Sequence, residues 1–523
     1  MGETMEPSPA AEPVTEPVTD TDIADESYAD LVAAEDVLLF VNAAVTATGQ
    51  REFRSGAAEQ RLSLDFLHEY VRGNYRPLYA AALALDVNDH NAALIVEGLL
   101  RTAGEATAEQ KRAEGRLIAA RLAVLPPQRV YRLFRALRAA GVNNRRTRAI
   151  QRDWLTARPD PGLDAVKYRR GLKSAVRHIH LPARALDAPP GAPDAPSEPG
   201  ASGELGDFLF RPRARVRYSH PLLDAHRRAR YDQRAIYELP YTVAAGFAAR
   251  HRVPRERFLE RAAPRMTRLE RLRTAGATGL DDDALGSMPL TRLALFVLSL
   301  PLAERAGRRA GLEAALRTAA ARAAGPHAGT WGRVSAVLDD SHSSYGSGVK
   351  RRRPLAVALA AHHLLRALAA EGAYRGHWTS GLTDPLMAHP RGPTPLGIRI
   401  LDALEDSPGR LVIVSDGWDN APPGLAGEVL RLWRTRLDPG RRTAVTHVNP
   451  VYDADGFDVR RLAPSVPTVG IRDAEDLAAL VEIARFTEGR TGAAELRAYL
   501  DRRTELFLGP EPAPEPAPEG EEC

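Results

Sequence analysis

The sequence predicts a multidomain protein in which an all-α array of helical repeats, arranged as a ring or solenoid, precedes an α/β doubly wound domain. Three observations predict it. Apolar residues recur at three and four spacing almost continuously from about Asp30 to Gly325. From Trp331 onward, short β-rich apolar runs alternate with helical patterns, the grammar of a mostly parallel sheet. The chain has 523 residues, 44% of them hydrophobic and 26% charged, which suits several globular domains.

Residues 1–29 read as a disordered acidic tail, because no Lys or Arg occurs from Glu3 to Asp30. Residues 30–330 form the helical domain. AEDVLLFVNAAVTATG, SLDFLHEYVRGNY, HNAALIVEGLLRTAG and PQRVYRLFRALRAAG are short patterns that stop at Gly or Pro and restart at Asp or Ser, as paired, stacked helices do. Residues 187–206, with PPGAPDAPSEPGASGELG at their centre, read as a Pro- and Gly-rich insertion. Helical patterning resumes at His220 and runs through ELPYTVAAGFAARHRV, MPLTRLALFVLSL and GLEAALRTAAARAAG. An array of roughly 290 residues exceeds one simple bundle.

Residues 331–508 form the second domain. RVSAVLDDS is its first strand, RPLAVALAAHHLLRALAAE a helix, RLVIVSD from Arg410 to Asp416 a buried strand, and GEVLRLWRTRL a helix. Strand TAVTHVNP, a short run PTVGI and helix DAEDLAALVEIARF follow. Residues 509–523 read as a second acidic tail. No run of about 18 apolar residues occurs, and the N-terminal stretch lacks the basic start and apolar middle of a secretory signal. A cytoplasmic protein without a membrane partner is expected. The one cysteine, Cys523, permits neither an internal disulfide nor a cysteine-based zinc site.

Ligands of doubly wound sheets bind at the carboxyl ends of the strands, and there the informative residues cluster. VLDDSHSS places Asp339, Ser341 and Ser343 in the order D-x-S-x-S directly after the first strand, and Asp416 tips the strand IVSD. RGPTPLGIRIL puts Thr394 in a loop before a helix, where its hydroxyl can face the same edge. Hard oxygen donors, few charges and no sulfur suit a hexacoordinate Mg²⁺ or a similar divalent cation. Helix capping is the competing structural role for such Asp and Ser residues. An aspartyl phosphohydrolase would want a second carboxylate two residues after Asp339, and Ser341 stands there. G-x-x-x-x-G-K-[ST], H-E-x-x-H and G-x-S-x-G are all missing, so P-loop ATPase, zincin and hydrolase readings have no sequence support, and catalysis is not expected.

The five residues resemble the metal-ion-dependent adhesion site of von Willebrand factor A domains, in order and topology. The resemblance implies direct ligation by Ser341 and Ser343, direct or water-mediated ligation by Thr394, and mostly water-mediated contacts from Asp339 and Asp416. A sixth position is then left for a partner's carboxylate.

Charge is unevenly distributed: Arg101 to His180 hold 19 Lys and Arg against 6 Asp and Glu, although the whole chain carries only +4. Such an excess suits a polyanion-binding surface. On a helix running from about Leu163, Lys167, Arg170, Lys173 and Arg177 fall on related faces, with Arg169 beside them. These cations can grip phosphates, and Tyr168 or His180 can stack on an unpaired base. Their plainer roles are a core or hydroxyl-anchored Tyr168, a helix-capping His180 and a solvated basic face; Trp154 reads as core.

The segment NNRRTRAIQRDWLTARPDPGLDAVKYRRGLKSAVRHIHLP, from Asn143 to Pro182, together with ELPYTVAAGF and MPLTRLALFVL, resembles the Ro autoantigen, or TROVE-domain, family. That resemblance implies a HEAT-like ring closed by the A domain, small structured Y-like RNA bound outside, and misfolded RNA ends threaded through the hole. It marks Lys167, Tyr168, Arg169, Arg170, Lys173, Arg177 and His180 as RNA-binding. The function expected is a non-catalytic RNA-binding protein that hands RNA to a nuclease. The alternative is a metal-dependent adaptor whose partner is a MoxR-type AAA+ ATPase.

Overall fold

The computed structural model describes residues 20–187, 203–211, 217–267, 270–271, 285–477 and 493–509. The Pro-rich tract over 188–202, residues 1–19 and 510–523 of the expected tails, and the body of the helix expected near 473–486 lie outside them. Among the described residues thirteen helices come first: α1 (Asp20–Thr46), α2 (Ala57–Asn74), α3 (Arg76–Ala81), α4 (Asp89–Arg101), α5 (Ala108–Val124), α6 (Pro127–Ala139), α7 (Arg145–Thr156), α8 (Pro161–Lys167), α9 (Arg169–His178), α10 (Glu204–Phe210), α11 (Pro221–Arg228), α12 (Tyr241–Arg250) and α13 (Arg255–Ala262). Then follow α14 (Leu290–Ser299), α15 (Leu302–Gly307) and α16 (Arg309–Ala324). No helix among the described residues is long and apolar enough to cross a membrane.

Local chemistry sets the helix boundaries. Asn88 accepts from the backbone of His90 and Asn91 at the start of α4, Thr107 and Gln110 form a capping box on α5, and Asn144 and Asp160 cap α7 and α8. Prolines at the first turn begin α6, α8 and α11. Two boundaries differ from those the sequence predicts. The expected tail over 1–29 ends early because α1 already begins at Asp20. The expected insertion ends early as well: Glu204 already belongs to α10.

The second part alternates strand and helix: β1 (Val334–Leu338), α17 (Arg353–Leu368), β2 (Tyr374–Trp378), α18 (Leu396–Glu405), β3 (Arg410–Val414), α19 (Leu425–Leu432) and β4 (Ala444–Asn449). A short antiparallel pair, β5 (Tyr452–Asp453) and β6 (Asp458–Val459), precedes β7 (Thr468–Gly470). The main sheet is parallel with order β2-β1-β3-β4-β7, and Val334 stands level with both Tyr374 and Arg410. One apolar core runs from the helices through α17 to Ala336, Leu338, Val412 and Val414, while a smaller one joins Leu396, Ile400, Leu411 and Ile413 on the opposite face. Every residue of β1 is therefore buried.

Both ends of the helical array meet the sheet. Asn42 of α1 donates to Asp458 Oδ1 at 3.1 Å and accepts from Gly470 N at 2.9 Å, and Gln60 of α2 reaches the Tyr452 carbonyl at 3.2 Å. At the other end, α14 and α16 pack on α17, and Arg305 of α15 donates to the carbonyls of Leu386 and Ala388 at 3.0 and 2.8 Å. The last helix, α20 (Ala493–Leu508), lies against α1, α3 and α5 although the sequence groups it with the sheet.

The close approach at Gly470 is required. A Cβ there would stand 2.8 Å from both Asn42 O and Thr46 Cγ2. Gly470→Ala is expected to cost about 1–3 kcal/mol, read as a lower urea midpoint. Gly440→Ala, where a Cβ meets nothing within 4 Å, is the matched control and should leave that midpoint in place.

Candidate metal centre and cationic surface

The sheet order reverses between β1 and β3: from β1 the chain steps out to β2 on one side and to β3 on the other. The crevice beyond such a switch point is where doubly wound sheets bind ligands. Asp339 follows β1, Asp416 follows β3, and Asp339 N donates to Val414 O at 3.0 Å, continuing the ladder between them. Ser341 N donates to Asp339 Oδ1 at 2.8 Å, and the Ser341 and Ser343 hydroxyls are 3.2 Å apart. Asp416 accepts from Trp418 N at 3.0 Å and from the Ser343 hydroxyl. Thr394 is tied to the same loop, since its N donates to Asn420 Oδ1 at 2.7 Å and its carbonyl accepts from Asn420 N at 3.2 Å. His342 N to Gly392 O at 3.1 Å laces the remaining pair of loops.

Asp339, Ser341, Ser343, Thr394 and Asp416 are all buried. Neither aspartate has an ion-pair partner among the described residues. Burial raises both carboxyls above the usual carboxylate range, and the Asp416 charge raises Asp339 further. Two buried carboxyls without ion-pair partners, beside three hydroxyls, are a donor set that a hard divalent cation fits. The described residues contain no group of three His, Cys, Asp or Glu at metal-binding range, so the hydroxyls are integral to the set. Asp340 points elsewhere: its carboxylate accepts from Thr379 Oγ1 at 2.8 Å and Ser380 N at 2.9 Å, fastening β1 to the end of β2.

Three residues that carry no motif in the sequence complete the rim. Arg54, in the loop between α1 and α2, stacks 3.9 Å from the Trp418 ring, and Arg460 stacks on the same ring at 3.7 Å. Gly417 permits this approach: its φ is +77°, and a Cβ would stand 2.7 Å from Arg460 O. Arginine so far from the motif in sequence carries no local signal.

The expected RNA-binding residues do not lie on one helix. The chain breaks at Tyr168, which leaves Lys167 at the end of α8 and the others on or beyond α9. Tyr168 takes its plainer role: its hydroxyl donates to Gln128 Oε1 at 3.0 Å, and its ring tilts against Tyr131. Arg169 is also structural, donating to Phe208 O at 2.6 Å while stacking on the Phe208 ring. Arg170 and Arg177 are exposed and Lys173 half-buried, because Leu172, Ala175 and Val176 take the inner face of α9. Lys173 and Arg177 flank Phe210 at 5.5 and 5.4 Å. Trp154 is core, with Nε1 donating to Leu122 O at 2.9 Å.

His180 ends α9 in the left-handed conformation, φ +55°, while Leu181 N bonds back to Val176 O at 3.1 Å. That is a Schellman cap with histidine where glycine is usual. The exposed imidazole lines a concavity of about 560 Å³ together with Arg145, Arg148 and Arg152 of α7 and Arg184. Among the described residues no carboxylate lines it. The α7 arginines share one face by three and seven spacing, a signal present in the basic stretch NNRRTRAIQRDW. Comparison with models of known protein families finds no match for this chain, and no curated protein matches it.

Proposed function

We propose that the chain is a non-catalytic RNA-binding protein of the Ro/TROVE type, its helices arranged as HEAT-like repeats, with a von Willebrand A-like domain that holds Mg²⁺ for partner binding. The observation that carries this reading is the concavity of four arginines and His180, lined by no carboxylate among the described residues, at the end of the α9 helix that presents Arg170, Lys173 and Arg177. Guanidinium groups suit phosphates, the one acidic neighbour among the described residues being the exposed Asp153, 3.9 Å from Arg152, and their arrangement reads backbone and shape more than sequence. Small structured RNA is the ligand, the cytoplasm the compartment, and a nuclease the downstream partner.

The metal centre is the second support. Asp339, Ser341, Ser343, Thr394 and Asp416 would hold the ion, which supplies a Lewis-acidic position for a partner's carboxylate. Those same residues equally favour a second reading, a metal-dependent adaptor working with a MoxR-type AAA+ ATPase. The readings part at the arginine concavity.

Protein purified from its native host at low salt is expected to carry small RNA, seen as absorbance at 260 nm that nuclease removes. Labelled structured RNA should then rebind, with affinity falling about 10³-fold or more between roughly 50 and 200 mM salt if some six phosphates are contacted. Protein that elutes free of nucleic acid and ignores RNA at low salt would leave the adaptor reading in place.

A further inference from the structure

The rim of the metal centre is shared between the helical array and the sheet, and its charges do not balance. Arg54 comes from the α1–α2 loop and Arg460 follows β6. Both stack on Trp418, two residues past Asp416, and both act on the Asp416 carboxylate through space. Neither forms an ion pair with a carboxylate among the described residues. Glu52, in the same loop as Arg54, is already taken by Lys350. Phe53 meets His342 of the metal loop edge-on at 6.0 Å, so the α1–α2 loop touches both sides of the motif.

A divalent ion cancels the charges of Asp339 and Asp416. Two guanidiniums then remain, and a single carboxylate at the ion would leave one of them uncompensated. Stacking on an indole holds a guanidinium plane in place while its N–H edge stays free to take a carboxylate side-on.

We infer that the metal edge, Arg54 and Arg460 together form a receptor for an acidic peptide segment of a partner protein, one carboxylate facing the ion and a neighbouring one facing the guanidiniums. This rests on the metal-site reading given above. Its added content is that the helical array, through Arg54, helps select the partner, and that one acidic residue is not enough.

The test uses the full chain and a fluorescent hexaglutamate peptide, followed by anisotropy, with Mg²⁺ affinity measured separately by calorimetry. The peptide is expected to bind in Mg²⁺ and to dissociate in EDTA. Arg54→Gln and Arg460→Gln should each weaken it about tenfold, as for a close charge pair across an interface, while Mg²⁺ affinity stays within about threefold of the parent. A glycine peptide of equal length with one glutamate should bind the unaltered protein about tenfold more weakly than hexaglutamate, which decides the matter even if a variant fails to fold. Mg²⁺ binding with no hexaglutamate binding, with equal binding of both peptides, or with no effect of either folded variant would overturn the inference alone. Displacement of the peptide by structured RNA, undiminished when Arg148 and Arg152 are reversed, would assign the rim to RNA and overturn it too. Unaltered protein that takes no Mg²⁺ would remove the metal reading itself, and the receptor with it.

Discussion

Asp416→Ala is expected to lower Mg²⁺ affinity by about 100-fold or more, roughly 2.7 kcal/mol, and at the same time to stabilise the metal-free protein. Both effects follow from one arrangement. Asp339 and Asp416 are buried at adjacent strand ends, repel one another, and have no ion-pair partner among the described residues. Without an ion that repulsion is only partly offset, by Arg54 and Arg460 acting on Asp416 through space, and removing either charge relieves the rest. With the ion, the same carboxylates are what attract it. Melting curves with and without Mg²⁺ should therefore cross: the parent gains stability on adding metal through linkage, and the variant begins higher but gains nothing. The pH dependence has a definite sign. Both carboxyls sit above their usual range in the folded state, so the folded protein holds these protons more tightly than the unfolded chain does. Metal-free stability should fall as pH rises above the ordinary carboxylate range, and Mg²⁺ should remove that fall. Unchanged calorimetric affinity in Asp416→Ala would end the assignment of the site.

The sequence displays this centre because each of its parts is tied to a strand end. A buried strand announces itself as a short apolar run, and VSAVL and LVIV lead straight into Asp339 and Asp416. Thr394 needed only a loop followed by a helix. What stayed hidden depends on tertiary contact. Strand β2, Tyr374–Trp378, forms the sheet edge and sets exposed Arg375 and Gly376 between half-buried Tyr374 and His377, so it shows no apolar run. The helix expected from Leu163 breaks at Tyr168, whose ring and hydroxyl are engaged by Tyr131 and Gln128 of α6. Arg169 likewise reads as one more cation until α10 brings Phe208 beneath it. The helices themselves were legible from periodicity and caps, whereas their arrangement was not, since both ends of the array meet the second domain by contacts between residues far apart in sequence, such as those of Asn42 and Arg305.

Reversing Arg148 and Arg152 to Glu is expected to weaken RNA binding about 100-fold at low salt and to lower the slope of log affinity against log salt by about 2, one for each phosphate that is no longer neutralised. The fold should tolerate the change. Both side chains are exposed, and α7 is held by its opposite face, where Thr147, Gln151, Trp154 and Leu155 are buried. Arg169→Glu supplies the contrast. Its guanidinium is committed to the Phe208 carbonyl and ring, so that substitution should lower the melting temperature and reduce RNA binding only through loss of folded protein. Arg170 and Arg177, exposed on α9, should behave like the α7 arginines but with smaller losses, because they stand outside the concavity that His180 and Arg184 enclose. Circular dichroism, melting and filter binding on the four variants separate the two classes. Equal RNA affinity in parent and the Arg148, Arg152 double variant, at matched folded fraction, would mean that phosphate binds elsewhere and that the concavity is only a solvated basic surface.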